Sequence, residues 1–250
     1  MIADQKLLCR VCSGPCSLLN AVDFNKSCEE AKGKFLSFAG IPVSYALCRK
    51  CGFCFAPELV TWKLEEFEEK IYNDEYVCVD PDYIETRPRA NAANLISMFA
   101  DRAHSIKHLD YGGGSGLLTQ LLRASGWQSV SYDPFVDRNL RLEQLGQFDL
   151  ITAFEVFEHV PDVHKLMSNL RSLLCANGLV LFSTLLSDGN IHADQDLDWW
   201  YASPRNGHIS LFSRNSLEIL AQANGFSLGS LSTGFHVFST KVPPWAEHIV

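Results

Sequence analysis

The sequence predicts an α/β chain: a doubly wound, mostly parallel sheet preceded by a small cysteine-rich module. From residue 107 onward, short apolar runs alternate with amphipathic stretches, the order that a parallel sheet covered by helices requires. A glycine-dense loop, HLDYGGGSG at residues 108–116, directly follows the first of these runs. Seven of the nine cysteines crowd into residues 9–54.

The bulk numbers bound the answer. A chain of 250 residues has room for one large domain, or a medium one with an appendage. Hydrophobic residues at 47% and charged residues at 20% describe an ordinary globular protein. A net charge of −8 argues against a nucleic-acid partner, whose phosphates call for basic surface. No apolar run approaches a membrane span, so no membrane partner is expected. The opening MIADQKLLCRVC does not resemble a secretory signal, and a cytoplasmic location is expected.

The front cysteines include two pairs, Cys9-Arg-Val-Cys12 and Cys48-Arg-Lys-Cys51. A CxxC turn presents two thiolates to one ion, and two such turns complete a tetrahedral site. With no secretory signal, structural Zn2+ is preferred over disulfides. Gly52 suits a tight turn after the second pair, and KGKFLSFAGIPVSYALC between the pairs is β-like. Cys16, Cys28 and Cys54 are surplus, and any of them can substitute as a ligand. Reduced, buried cysteines without metal are the plain alternative. Residues 1–60 therefore read as a zinc-ribbon-like module, 61–90 as a helical connection and 91–250 as the main domain.

Each later element has its own signal. TWKLEEFEEKIYNDEY is a helix capped by Thr61, with Trp62, Leu64, Phe67 and Ile71 on its apolar side. VDPDYIETRPR is a connection, and ANAANLISMFADRAH a second helix. IKHLDYG is a strand, SGLLTQLLRASG a helix, SVSYDP a strand and FDLITAFEV a fully buried strand. PDVHKLMSNLRSLLCANG is a helix with Pro161 in its first turn and Gly178 beyond its end. LVLFSTLL is a strand; SRNSLEILAQANG is a helix with Ser213 as cap and Gly225 as stop. FSLGSLSTG and FHVFSTKV form a closing antiparallel hairpin. Ligands of such a sheet sit at the C-terminal ends of its strands.

The glycine loop narrows the ligand. Gly112-x-Gly114-x-Gly116 lacks the GxGxxG spacing of a dinucleotide site, and no Lys-Ser/Thr follows to make a P-loop. With Asp110 two residues ahead, Asp-x-Gly-x-Gly-x-Gly resembles motif I of class I methyltransferases that use S-adenosyl-L-methionine (SAM). FDLITAFEVFEHVPD resembles the segment after that family's fourth strand, and the likeness spans about residues 90–226. The resemblance implies a Rossmann-like doubly wound methyltransferase sheet with an antiparallel last strand. It also implies SAM as cofactor, held by Asp110, Gly112, Gly114 and Gly116, with Asp133 on the ribose hydroxyls. Phe154 and Glu155 then line the sulfonium, with Glu158 and His159 near the reacting centre. Only 14 residues separate Asp133 from Phe148, short for the family's third-strand segment. The adenine contact stays open, with Leu140 and Leu142 as candidates.

Methyl transfer requires a proton to leave the acceptor. RNGHISLFSRNSLEIL resembles the HEHLSYFS segment of zinc-containing sugar-nucleotide C-methyltransferases, which implies His208 as the base. Where that family has Tyr-His-Glu, this chain has Arg205-Asn206-Gly207, a departure that puts an identical reaction in question. His159 ranks second; His192, Asp194 and Glu155 are further candidates. A histidine that merely caps the next helix is the alternative for His208. The irregular DGNIHADQDLDWWYASPRNGH reads as a substrate lid, unless Trp199, Trp200 and Tyr201 are core under a long loop. The chain is thus similar to the sugar-nucleotide C-methyltransferase and ubiquinone-biosynthesis-type group. The expectation is methyl transfer to an oxygen or carbon of a small-molecule acceptor, such as a sugar, glycan precursor or secondary metabolite. The alternatives are a non-catalytic SAM-binding or zinc-ribbon interaction protein, and a methyltransferase acting on protein. The oligomeric state stays open.

Overall fold

The computed structural model describes residues 7–99 and 102–249. They form two compact units that interleave along the chain. One holds the chain through Val79, with Glu158–His164 and Leu185–Ala223; the other holds Asp80–Phe157, Lys165–Thr184 and the residues from Asn224 onward.

The first unit is built on an antiparallel sheet of four strands. Their order is β1 (Cys16–Asp23), β2 (Pro42–Cys48), β3 (Cys54–Phe55) and β8 (Ser210–Leu211). The β-like stretch between the cysteine pairs supplies β2, but β1 lacks a clear sequence signal. CSLLNAVD alternates poorly, and its pairing from Cys16↔Cys48 to Asp23↔Pro42 shifts register between Leu18 and Ala21. Aromatic packing secures the short strands: the Phe53 ring centroid lies 5.7 Å from Phe55 and 5.0 Å from Phe212. Three helices belong here: α1 (Leu64–Lys70), α2 (Tyr76–Val79) and α6 (Arg214–Ala223). Thr61 does not cap α1. Its hydroxyl donates to the Glu58 carbonyl instead, and Glu66 reaches back to accept the Lys63 N–H at 2.9 Å, which starts the helix later. Ser213 does cap α6, its Oγ accepting the Ser216 N–H at 3.1 Å. Trp199 and Tyr201 of the long irregular segment are buried, whereas Trp200 is exposed.

The second unit is the doubly wound sheet. Its strands are β4 (Lys107–Tyr111), β5 (Gln128–Tyr132), β6 (Phe148–Phe154), β7 (Leu174–Ser183), β9 (Ser227–Ser230) and β10 (Phe235–Ser239). They lie in the order β5-β4-β6-β7-β10-β9. The first four run parallel, and the last strand of the chain, β10, lies antiparallel between β7 and β9. Helix α3 (Thr86–Met98) and helix α4 (Leu117–Ala124) cover one face, where Leu95, Leu118 and Leu122 meet Leu150, Leu179 and Val237. Phe182 packs against Phe157 and Phe238 at centroid distances of 4.3 and 4.4 Å. Arg171 of α5 (Val163–Leu173) lies over the Phe226 ring. Full burial of each such side chain contributes about 1.5–3 kcal/mol.

Two boundaries differ from expectation. Helix α3 starts at Thr86, because Pro88 sits in its first turn, where no N–H partner is needed. Helix α5 stops at Leu173 and passes straight into β7; Gly178 lies within that strand. The β6–β7 pairing jumps from Phe148↔Leu174 to Leu150↔Leu179, and a Cβ on Gly178 would meet the Asp149 carbonyl at 3.0 Å. That glycine serves a close backbone approach in an irregular stretch rather than a helix stop.

His108 on β4 is buried, its Nδ1 2.7 Å from Ser129 Oγ and its Nε2 2.9 Å from Thr152 Oγ1. Burial holds its pKa down at about 3. With the folded value below the unfolded one, its contribution is present above pH ~6.5 and is lost as pH falls toward 3. His108→Gln is expected to cost about 1–3 kcal/mol at pH 7 by disturbing two buried hydroxyls. The same variant should flatten the loss of stability between pH 6.5 and 4, read from urea melts across that range.

Candidate functional site

The glycine loop joins β4 to α4 and turns through three left-handed residues: Gly112 at φ 78°, Gly114 at 52° and Gly116 at 75°. L side chains resist this region, so the loop requires glycine. The positions differ in what surrounds them. A Cβ on Gly112 would lie 2.5 Å from Val156 Cγ2, and one on Gly113 would lie 2.2 Å from Ser131 Oγ and 2.6 Å from Asp110 Oδ2. A Cβ on Gly114 would meet nothing within 4 Å. The loop is packed beneath and open above. Spacing alone pointed to the alternate glycines; Gly113 is the one it missed, since only the packing shows that its Cβ has no room.

Two carboxylates flank the loop. Asp133, just beyond β5, accepts the Gly114 N–H at 3.0 Å and the Phe135 N–H at 2.8 Å. Asp110, in β4, is buried and accepts the Thr152 hydroxyl at 2.9 Å. Desolvation raises the Asp110 pKa to about 7; the Thr152 hydrogen bond opposes the shift and the Asp133 charge adds to it. Behind Asp110 runs a buried chain of polar groups: Thr152, His108, Ser129 and Thr119, with the Ser129 and Thr119 hydroxyls 3.1 Å apart. A neutral imidazole offers one donor and one acceptor. The chain can therefore order its protons with Asp110 ionised and accepting, or neutral and donating.

Phe154 ends β6, its ring 5.9 Å from Phe235. Glu155 follows in a left-handed conformation, φ 54°, which costs a non-glycine residue about 1–3 kcal/mol. Ser183 at the end of β7 holds it there. The serine hydroxyl donates to Glu155 Oε1 and accepts the Glu155 N–H, both at 2.8 Å. Arg87, which no motif signals, lies 3.6 Å from Glu155 Oε2 and pairs with Asp80. Val156, next in the chain, is the residue against Gly112, so the ends of β4 and β6 meet. Among the described residues β5 ends the sheet. The segment before β6 carries only a 3-10 turn at Leu142–Gln144, with Leu140 exposed.

The other expected residues lie in the first unit. The four pair cysteines come together, each offering a sulfur within 4.8 Å of the others, with Cys9–Cys51 and Cys12–Cys48 Sγ distances of 3.5 Å. The edge of a tetrahedron with Zn–S of 2.3 Å is about 3.8 Å, so the donor set fits zinc. Amides of Val11 and Lys50 point at Cys9 and Cys48 Sγ at 3.3 and 3.4 Å, as suits thiolates. Gly14 leaves room for the sulfurs: a Cβ there would meet Cys12 and Cys48 Sγ at 3.2 and 3.3 Å. The Cys9 thiol is drawn down to about 5 by its hydrogen bond with Cys51, whose own thiol is pushed up by the same contact. Cys16, Cys28 and Cys54 are not among the four converging sulfurs, although Cys16 lies opposite Cys48 in the β1–β2 pairing. Burial raises Cys16 to about 12 and Cys54 further.

His159 and His208 also lie in this unit, ring centroids 4.9 Å apart. His208 Nδ1 is 2.8 Å from the Tyr201 carbonyl, and His159 Nδ1 is 3.1 Å from the Tyr72 hydroxyl. Gly207, at φ 86°, is what admits this packing, since a Cβ there would lie 2.7 Å from the Tyr72 hydroxyl. The departure from the Tyr-His-Glu pattern at this position thus has a steric reason. Arg205 is buried and donates to the Ile71 carbonyl at 2.9 Å, and Asn206 accepts the Cys28 N–H at 2.8 Å. His192 and Asp194 are exposed.

The parallel sheet with its antiparallel final strand, and a glycine loop between two carboxylates, define a class I methyltransferase domain. A family profile described as a methyltransferase domain matches residues 83–231, and the chain belongs to that family. A ubiquinone biosynthesis O-methyltransferase of Acinetobacter baumannii (strain ACICU) is 36% identical, over 36% of this chain and 39% of that protein. The protein of the same description from Methylococcus capsulatus is 30% identical, over 38% of this chain and 52% of that one. The chain thus spans about two fifths to a half of these relatives' length. An O-methyltransferase family protein from Burkholderia thailandensis superposes with a TM-score of 0.49 at 12% identity, covering 71% of this chain and 63% of that structure.

The Gly112 and Gly114 environments predict different costs. Gly112→Ala combines left-handed strain with a clash against Val156 and is expected to lower stability by about 2–4 kcal/mol. Gly114→Ala faces open space and should cost about 1–2 kcal/mol. Paired urea melts check the ranking.

Proposed function

We propose that the chain is a SAM-dependent methyltransferase that methylates an oxygen or carbon of a small-molecule acceptor. The observation that carries this is Gly114, bare and open, with its N–H held by Asp133 and Asp110 buried beneath the loop. Bound SAM supplies an electrophilic methyl group on a sulfonium. In this reading the Asp133 carboxylate accepts the ribose hydroxyls. The loop backbone and the first turn of α4 receive the amino-acid carboxylate, and ionised Asp110 answers the ammonium. Phe154 and the braced Glu155 line the sulfonium. His208 takes the acceptor's proton, with His159 as the second candidate. The ubiquinone-type relatives favour an oxygen acceptor. The four front thiolates are proposed to hold a structural zinc that ties the N-terminal turn to the β2–β3 turn. They leave no open position for chemistry.

Calorimetry with SAM and the full chain tests the cofactor assignment. Binding in the micromolar range is expected, weakened at least tenfold by Asp133→Ala through loss of a charge-assisted contact; wild-type protein that binds no SAM overturns the reading. Only ionised Asp110 favours a cationic group, so affinity should rise with pH and level off above about 7. A binding constant about tenfold weaker at pH 6 than at pH 8 is expected, with proton release at pH 6 seen as a buffer-dependent enthalpy. Labelled SAM incubated with fractionated extract then identifies the acceptor class. Label entering only protein sinks the small-molecule assignment. Metal analysis should find one zinc per chain, lost in Cys12→Ser with a fall in thermal stability.

A further inference from the structure

Cys16 is a further thiol beside the four converging sulfurs, and the register of the first sheet places it directly opposite Cys48. We propose that Cys16 and Cys48 form a reversible oxidation site, which hydrogen peroxide closes into a cross-strand disulfide that withdraws Cys48 from the zinc donor set. The release of metal rests on the zinc reading above; the pairing of the two cysteines does not.

The main-chain hydrogen bonds fix how the pair faces. The Arg49 N–H donates to the Pro15 carbonyl at 3.3 Å, while the Cys16 N–H turns to the Leu7 carbonyl and the Cys48 N–H to that of Phe53. Cys16 and Cys48 are therefore a non-hydrogen-bonded antiparallel pair. In such a pair the Cα atoms stand about 4.5 Å apart and the two side chains project from the same face. A disulfide spans Cα separations of about 4.4–6.8 Å, so this one can close without moving the strands. The pair lies near the short end of that range, where the bond is strained and readily reduced.

The surroundings bring the two sulfurs to one place. Cys16 Sγ donates to the Gly14 carbonyl at 3.8 Å, and a Cβ on Gly14 would lie 3.3 Å from Cys48 Sγ. Both sulfurs thus border a residue that has no side chain to separate them. Cys12 and Cys16 are half-buried, whereas Cys9, Cys48 and Cys51 are buried, so a small oxidant reaches the cluster from this side. Cys54 stands opposite Leu47 and Leu211 instead, and faces no cysteine across the sheet.

The two thiols have different parts in the chemistry. Cys48 in the donor set is a thiolate, the nucleophilic form, whereas Cys16 lies outside that set and keeps its proton. The Cys48 thiolate attacks the peroxide: an S–O bond forms, the O–O bond breaks and hydroxide leaves. Cys16 then attacks the sulfenic Cys48. An S–S bond forms, the S–O bond breaks, and the Cys16 proton leaves with the oxygen as water. The sulfurs are oxidised and the peroxide is reduced to water and hydroxide. Cys12 Sγ also lies 3.5 Å from Cys48 Sγ, but it belongs to the donor set, so Cys16 is the neighbour whose lone pairs are available. With Cys48 withdrawn, the tie between the N-terminal turn and the β2–β3 turn weakens.

Full-length, zinc-loaded protein is treated with hydrogen peroxide, and released zinc is followed with a chromogenic chelator. Non-reducing peptide mapping, with fragment ions that separate Cys12 from Cys16, locates the disulfide. Zinc release in step with a Cys16–Cys48 link is expected, and dithiothreitol with added zinc restores the starting state. In Cys16→Ser the oxidised Cys48 lacks its resolving partner and proceeds to sulfinic acid, so recoverable zinc binding should fall about tenfold. Cys16 is only half-buried, and wild-type zinc content and far-UV circular dichroism in the untreated variant show that it is folded. Disulfides confined to the four pair cysteines, or a Cys16→Ser protein that recovers as fully as wild type, overturn the proposal. An untreated Cys16→Ser protein that has lost its zinc does so too, because Cys16 is then a ligand. Wild-type protein without zinc defeats the zinc reading alone, and the presence or absence of the Cys16–Cys48 link in that metal-free protein still decides the oxidation site.

Discussion

Asp110 is a carboxyl group buried at the end of a central parallel strand, where ionisation is costly, and the surrounding residues are arranged around that cost. Thr152 donates to it from β6, Gly113 crosses above it without a side chain, and the Asp133 charge lies close enough to raise its pKa further. A second polar chain through His108, Ser129 and Thr119 extends the network into the sheet. Such a centre is stable only when each member is satisfied. The loop must therefore take the one path that places three glycines in left-handed conformations, and that path leaves Gly114 facing open space.

Strain at Glu155 is supported in the same manner. A left-handed glutamate at the end of β6 persists because the Ser183 hydroxyl bonds both its carboxylate and its N–H, with Arg87 behind. Residues forced into such conformations cluster where a ligand must be met. Here the strained residue directly precedes Val156, which packs against Gly112. The strand ends thus brace one another, and rigidity at the loop comes from the sheet rather than from the loop itself.

The unit containing the cysteines works differently. Its strands β3 and β8 have two residues each, too few to hold a sheet by pairing alone. Aromatic packing of Phe53, Phe55 and Phe212 and the converging sulfurs provide the cohesion. The Ser213 hydroxyl ties the second cysteine turn to α6 by donating to the Cys51 carbonyl at 2.5 Å while capping that helix. Gly207, Tyr72 and the two histidines complete the unit, so its polar groups are set by contacts between segments far apart in the chain.

The parts legible in the chain were those with local physical signatures. Buried strands such as FDLITAFEV, the glycine run, the paired cysteines and the closing hairpin follow from hydrophobic period, backbone freedom and thiolate spacing, each of which acts over a few residues. The strand β1, with its broken alternation, had no such signature and exists through its partner β2. Gly178 read as a helix stop because its role, close approach to the Asp149 carbonyl, belongs to a neighbouring strand. The same holds for Arg87 and Tyr72, and for the meeting of Glu158 and His159 with His208: residue types announced candidates, but their contacts join segments with no shared pattern. Local chemistry could name the cysteines and the loop glycines in advance, while long-range packing alone brought the carboxylate and the two imidazoles together, because the entropy of closing those distant segments is offset only in the folded core.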